Sequence, residues 1–229
     1  ATSIFTGQVI DAAGIRAAAQ NGDLSEILLA VVTTRPGNRG RVTRLPSEAD
    51  FMAVAEAQDV FERRRGALES AGFLPFEAVP PGEKTDEPRR MGLTTWVSMF
   101  TPRQALGHAT ALEELGEVVE EARQADGDEA ARVVSLYLGL ALDKSCDYNS
   151  RLASWHSSRE RVRNTFDRHD FSFKHTFSEI DGARALYQFG LDRVVKSVEE
   201  LVELIGPGAA PAKLDEPTME LSECRVIRG

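Results

Sequence analysis

Cysteine is scarce in this sequence, and long apolar runs are missing from it. Cys146 and Cys224 are the two cysteines among 229 residues, and neither belongs to a Cys-x-x-Cys pair, which argues against a disulfide framework and a zinc ribbon. No apolar stretch approaches the ~18 residues that a membrane-spanning helix needs, and no secretion signal opens the sequence. These absences predict a reduced, cytoplasmic protein without membrane contact.

The usual signatures of catalysis are also lacking. The sequence has no Gly-x-Gly-x-x-Gly, no phosphate-binding loop, no His-Glu-x-x-His and no Gly-x-Ser-x-Gly. Its four histidines do not follow the spacing of metal ligands, so no metal is expected. Cys146 follows an apolar helical pattern, where a buried and inert thiol is the ordinary state. No residue is therefore assigned a catalytic role.

Apolar residues make up 42% of the sequence, which is enough to bury a core. The formal charge of −9 argues mildly against a general nucleic-acid binder. This charge is unevenly spread, because residues 151–168 hold five arginines against Glu160 and Asp167, whereas 113–129 is strongly acidic. One basic patch and one acidic, solvated face are predicted. A second basic segment, 35–44, is either a phosphate contact or a solubilising edge loop.

Periodicity and turn residues predict a mainly α chain with a small antiparallel β element near its N-terminus, an α+β fold whose helical core surrounds a buried central helix. Capping patterns at Ser47, Thr101 and Ser157 each predict the start of a helix. The chain begins without Met and ends without a closing element, so we expect a piece of something longer. Four regions are predicted: 1–72, a β-hairpin plus helix; 73–90, a Pro-rich linker; 91–206, a helical domain; and 207–229, a linker and strand-like tail that leads to a missing region.

The stretch 135–170 carries the densest chemistry. An apolar run, Val133 to Leu142, predicts a helix buried on most sides, and polar side chains follow it without a break. Asp147, Tyr148 and Asn149 are residue types that hydrogen-bond and stack on a base, and the arginines after them suit phosphates. The structural alternative is that Asp147 and Asn149 cap a helix end while the arginines pair with the acidic helices.

Three blocks of the sequence carry a family resemblance. They are Met91-Gly-Leu-Thr-Thr-Trp-Val-Ser-Met-Phe-Thr-Pro-Arg-Gln, Tyr137-Leu-Gly-Leu-Ala-Leu-Asp-Lys-Ser-Cys-Asp-Tyr-Asn-Ser, and Trp155-His-Ser-Ser-Arg-Glu-Arg-Val-Arg-Asn-Thr-Phe. In this order they resemble blocks of a large family of adenine-specific DNA methyltransferases, many of whose members carry a domain of unknown function. The family's Asp-Pro-Phe-x-Gly and Asp-Pro-Pro-Tyr motifs are absent here, and Ser3 and Thr6 stand where the family often has the last cysteines of a zinc ribbon.

The resemblance implies a segment, or one subunit, of a DNA methyltransferase that acts on a flipped adenine. DNA is the expected partner, and S-adenosylmethionine is expected to bind mainly outside this chain, on a missing methyltransferase fold of the same polypeptide or of a partner subunit. Methyl transfer by this chain alone is not expected. The alternative is an interaction module, a helical scaffold for a partner subunit without nucleic-acid contact. The expected pocket residues are Asp147, Tyr148, Asn149, Trp155 and Asn164, and the expected phosphate contacts are Arg151, Arg159, Arg161 and Arg163.

Overall fold

A computed structural model describes residues 7–34, 40–167 and 171–206. The described chain is mainly helical and includes two small antiparallel sheets, which confirms the predicted fold class. None of its helices is long and apolar enough to span a membrane. The predicted tail 207–229 and part of the basic segment 35–44 lie outside the described residues. The α-helices are α1 (Ala12–Gln20), α2 (Glu48–Ser70), α3 (Asp86–Arg90), α4 (Pro102–Asp126), α5 (Asp128–Tyr148) and α6 (Tyr187–Ile205).

Each sheet is a two-stranded antiparallel hairpin. Strands β1 (Val31–Thr34) and β2 (Arg41–Arg44) pair with Val31 opposite Arg44, as the turn residues between them predicted. Strands β3 (Ser154–His156) and β4 (Arg161–Arg163) form the second hairpin, with Trp155 opposite Val162. The sequence pattern predicts a helix that starts at Ser157, which covers the turn and the second strand of this hairpin. The hairpin matters for function because it carries most of the candidate arginines.

Two helix starts follow the predicted capping chemistry. At α4, the Gln104 side chain accepts a hydrogen bond from the Thr101 backbone N–H, and the Thr101 hydroxyl accepts one from the Gln104 N–H. At α2, the Asp50 carboxylate accepts from the Ser47 N–H and also pairs with Arg44 at 2.6 Å. Each cap satisfies backbone donors that a helix start would otherwise leave unpaired. These contacts confirm the predicted starts of α2 and α4.

The segment 73–90 packs into the interior. Leu74 belongs to a core shared with Phe61 of α2 and Ala105 of α4, and Val79 belongs to a second core with Leu152. The segment also contains α3, which ends in a turn before residue 93. The segment is therefore packed, which the prediction of an extended linker did not anticipate, and the division of the chain at this segment stays a prediction. Its prolines and charges indicated a linker, but Leu74 and Val79 are buried, and burial of apolar surface outweighs the local composition.

Helix α5 packs against both α4 and α6. At the contact with α6, an added Cβ on Gly190 lies 2.4 Å from the Ala141 carbonyl oxygen, so only glycine allows this approach of the two backbones. The apolar run of α5 is nevertheless not buried on most sides, because Leu136 is 60% exposed and Leu140 is 47% exposed. The predicted burial of the central helix is corrected: one face is packed, and the opposite face is open and apolar.

Candidate functional site

The hairpin β3–β4 gathers arginines on one of its faces. Side chains directly opposite each other in an antiparallel pair point to the same face, and His156 is paired with Arg161 while Ser154 is paired with Arg163. A single 3₁₀ turn, Ser157–Arg159, connects the strands. The helix predicted from the Ser157 capping pattern is wrong, because Glu160 adopts φ 46°, a left-handed conformation that ends the turn after three residues.

The arginine face borders an open recess of about 270 Å³. Among the described residues, three guanidinium groups and one carboxylate, that of Asp167, line it, so this lining is electropositive. Arg163 lies 3.5 Å from that carboxylate. Arg159 and Arg161 are exposed, and neither has a carboxylate partner within the described ranges. The lining residues are Tyr148, His156, Arg159, Arg161, Val162, Arg163, Asn164 and Asp167.

Asp147 is buried next to the recess residues Tyr148 and Asn164, and its carboxylate accepts hydrogen bonds from groups of the chain itself. Its carboxylate is buried and accepts hydrogen bonds from the Asn164 amide at 3.1 and 3.2 Å, from the Phe166 backbone N–H at 3.0 Å and from the Lys144 ammonium at 2.9 Å. It therefore joins the end of α5 to the residues that follow β4. Hydrogen bonding to a base, the predicted role of Asp147, has no support in this geometry.

Asn149 and Arg151 are also occupied within the fold. The Asn149 side-chain oxygen accepts from the Ile180 backbone N–H at 2.9 Å, and this residue is buried. Arg151 pairs with Glu26 at 2.6 Å and donates to the Ser98 carbonyl at 3.1 Å. Neither residue lines the recess. Their contacts fasten the turn after α5 to neighbouring segments, so the predicted pocket and phosphate roles have no geometric support at these two positions.

Tyr148 and Asn164 do reach the recess. The Tyr148 ring packs edge-on against Phe189 of α6, with the ring centres 5.0 Å apart, and the Lys144 ammonium lies 4.9 Å from its centre. The Asn164 amide nitrogen is held by Asp147. One aromatic wall and one fixed amide are thus placed beside the arginines.

Trp155 lies on the opposite face of the hairpin from the arginines, since it is paired with Val162. It is 36% exposed, and the Arg41 guanidinium of β2 lies 5.9 Å from its ring centre. A cation over an indole face is attractive, so this contact joins the two hairpins. This contact also places the described part of the second basic segment, residues 40–44, beside the arginine hairpin. Trp155 does not wall the recess.

No family model, curated protein or solved structure matches this chain. The likeness of its three sequence blocks to the methyltransferase family therefore remains a prediction. Within the described ranges, no three His, Cys, Asp or Glu side chains lie close enough together to hold a metal ion.

His108 of α4 is a polar residue whose role the sequence did not indicate. Its Nε2 lies 3.0 Å from the Asn149 carbonyl oxygen, which can only accept, so Nε2 carries the proton and Nδ1 accepts from the Tyr187 hydroxyl at 3.3 Å. Burial lowers the pKa of His108 below its ordinary value, which keeps the ring neutral. The helix pattern around His108 gives no signal for this contact, because its partners are 41 and 79 residues away.

The Cys146 thiol is expected to be unreactive. Burial raises its pKa to about 12, and the nearby Asp143 carboxylate acts in the same direction. A thiol with such a pKa is almost wholly protonated at neutral pH and is a poor nucleophile. The sequence-based prediction of an inert thiol agrees with this environment.

Proposed function

We propose that this chain holds DNA through the arginine face of hairpin β3–β4, as a segment or subunit of an adenine-specific DNA methyltransferase. The observation that carries the proposal is the electropositive recess with two exposed guanidinium groups, those of Arg159 and Arg161, which have no carboxylate partner among the described residues. The methyltransferase assignment rests on the resemblance of the three sequence blocks. DNA contact and methyl transfer are thus separate parts of the proposal, and each has its own support.

The availability of Arg159 and Arg161 distinguishes them from arginines that the fold has already used. Arg103 pairs with Glu179, and Arg151 pairs with Glu26. A guanidinium that is exposed and unpaired keeps its five donors for an external anion, and a phosphate oxygen is the acceptor that fits them best. Arg163 adds a third cation at the rim, although Asp167 partly offsets its charge.

The cofactor is proposed to bind outside these residues. The described chain contains two antiparallel hairpins and no parallel sheet, so it does not supply the strand-turn-helix unit that cradles a nucleotide-like cofactor. No described group is placed to activate an adenine amine. S-adenosylmethionine and the catalytic motif would belong to another part of the polypeptide or to a partner subunit, and Tyr148 and Asn164 remain the proposed walls beside a target base.

The test measures the binding of the full chain to a fluorescently labelled DNA duplex by anisotropy at several KCl concentrations. The double variant Arg159→Ala, Arg161→Ala removes the two unpaired cations of the recess. If both contact phosphates, the slope of log K against log[salt] falls by about 2, because each lost contact accounts for about 0.9 of it. Affinity at low salt falls about tenfold or more.

A matched control removes the same charge elsewhere. Arg63 and Arg184 are also exposed and have no ion-pair partner in the described part of the chain, so Arg63→Ala, Arg184→Ala changes the net charge equally. This control keeps the salt slope of the parent chain if the recess is the binding site. Equal losses in the two double variants, or no DNA binding by the parent chain, would refute the proposed site.

The second candidate function is an interaction module without nucleic-acid contact. The open apolar face of α5 favours it, since a face of this kind on a helix usually binds another protein surface. The two candidates separate on the DNA experiment, because a pure scaffold shows neither the salt slope nor its loss in the Arg159, Arg161 variant.

A further inference from the structure

The exposed face of α5 is a regular stripe. Val133, Leu136, Tyr137 and Leu140 follow the i, i+3, i+4, i+7 spacing of one helical face. They are 47%, 60%, 37% and 47% exposed, respectively. Three of the four residues buried on this helix, Ala131, Ala141 and Ser145, belong to the opposite face, and the fourth, Asp147, lies at the C-terminal end of the helix beyond the stripe. No segment of the described chain covers the stripe fully.

The stripe is symmetric about its own midpoint. Val133 and Leu140 are equally far from the midpoint between Leu136 and Tyr137, which are the two central residues of the stripe. An antiparallel copy of the same helix therefore presents an apolar side chain opposite each apolar side chain. The stripe can pair with itself without a register conflict.

The charges beside the stripe approximate this symmetry, since Arg132 lies 4.5 positions before the midpoint and Asp143 lies 6.5 positions after it. Arg132 and Asp143 lie on one flank of the helix, eleven positions apart, and on opposite sides of the midpoint. Both are exposed, and neither has an ion-pair partner within the described ranges. In an antiparallel pair of such helices, Arg132 of each copy lies about 3 Å along the helix axis from Asp143 of the other, which is within reach of these side chains. Opposite charges then meet at both ends of the stripe.

We infer that the face of α5 formed by Val133, Leu136, Tyr137 and Leu140 binds a second copy of this chain, helix against helix in antiparallel orientation, with Arg132 and Asp143 paired across the two-fold axis. None of these residues lines the arginine recess, so this self-association is independent of the proposed DNA contact. A two-fold axis is the commonest symmetry of soluble oligomers, and it requires a self-complementary patch of this kind.

The contact is small. Val133 to Leu140 spans about 10 Å of helix, which is less than the surface that a permanent dimer buries. We therefore expect reversible association with a dissociation constant of roughly 10–100 µM. Single exposed ion pairs contribute little, but a charge reversal here converts two attractive pairs into two repulsive ones.

The test is sedimentation velocity of the full chain between about 1 and 300 µM, the range that spans such a dissociation constant. The single variants Arg132→Asp and Asp143→Arg each raise the dissociation constant about tenfold, because like charges then meet at both ends. The double variant Arg132→Asp, Asp143→Arg restores association to near the parent value, because the opposite pairs are re-formed in reversed order.

Apolar variants complete the test. Leu136→Gln abolishes association over the same range, whereas Met52→Gln, which changes a 65% exposed apolar residue on α2, leaves it unchanged. Circular dichroism establishes that each variant is folded. A parent chain that stays monomeric at the highest concentration overturns the inference. A dimer whose dissociation constant does not change in the charge-reversal variants also overturns the inference, since another surface would then form the contact.

Discussion

The buried carboxylate of Asp147 gives the sharpest stability prediction. It accepts hydrogen bonds from the Asn164 amide, the Phe166 backbone N–H and the Lys144 ammonium, and its side chain is 8% exposed. Asp147→Ala removes the acceptor from all three donors at once. The Lys144 ammonium is partly exposed and can turn to water, whereas the Asn164 and Phe166 donors are part-buried and lose their partner.

The magnitude follows from these contacts. Leaving a buried donor without an acceptor costs about 1–3 kcal/mol, and the surface part of the Lys144 pair adds less than about 1 kcal/mol. Because the contacts share one carboxylate and are not independent, we expect Asp147→Ala to lower the free energy of unfolding by about 3–5 kcal/mol. Asp147→Asn keeps the shape and one acceptor oxygen, so its cost is about 1.5–3 kcal/mol.

Urea unfolding, followed by circular dichroism on dilute protein, measures both changes. Asp143→Asn is the matched control, because Asp143 lies one turn earlier on the same helix and has no ion-pair partner in the described ranges, and partial burial raises its pKa, so no contact stabilises its charge. Its effect is expected within about 0.5 kcal/mol. An Asp147→Ala cost below about 1 kcal/mol would refute the reasoning, because the carboxylate would then not hold the end of α5 to the residues after β4.

Two further predictions concern the helix contacts around this junction. Gly190→Ala places a Cβ 2.4 Å from the Ala141 carbonyl oxygen and lowers the free energy of unfolding by about 1–3 kcal/mol or more. Gly139→Ala adds a Cβ in open space on α5 and raises the free energy of unfolding by up to about 1 kcal/mol. The urea midpoints of the two variants measure this difference. Burial lowers the pKa of His108 in the folded chain below its usual 6.5, so the unfolded chain binds more protons as the pH falls through that value. The free energy of unfolding therefore decreases below about pH 6.5. Unfolding measured from about pH 7.5 to 5 shows a smaller decrease in the His108→Gln variant.

Local signals predicted a large share of the fold. The capping box at Thr101 and Gln104, the cap at Ser47 and the turn residues between β1 and β2 depend on neighbours in the sequence. Those contacts form in the same way whatever packs around them. The starts of α2 and α4 and the first hairpin could therefore be predicted without knowledge of the tertiary contacts.

Predictions that depended on distant partners failed. The Ser157 to Glu160 pattern also fits a capping box, but the pairing of Trp155 with Val162 and the left-handed Glu160 make a hairpin there. The apolar run of α5 predicted burial, although composition does not say how many neighbours a helix has. In this fold α4 and α6 pack against α5 and leave one face open.

The sequence predicted the candidate site only in part, again because distant contacts decide which side chains are available. The residue types of 147–164 indicated a polar site, and Tyr148, Asn164 and three arginines do border one recess. Spacing could not tell which side chains the fold itself would use. Asp147 is held by Asn164 and Phe166, and Arg151 is held by Glu26, which lies 125 positions earlier in the sequence.

The two proposals meet on α5. The midpoint of the apolar stripe lies between Leu136 and Tyr137, and Tyr148, at the wall of the recess, lies between eleven and twelve residues further along the same helix. At 1.5 Å per residue this is ~17 Å, so an antiparallel pair of α5 helices would place the two Tyr148 residues about 35 Å apart along the helix axis. Equivalent surfaces of dimers that bind duplex DNA are commonly separated by one helical turn, about 34–36 Å. A dimer formed through this stripe would therefore separate the two Tyr148 residues, along the helix axis, by a distance close to one turn of a duplex.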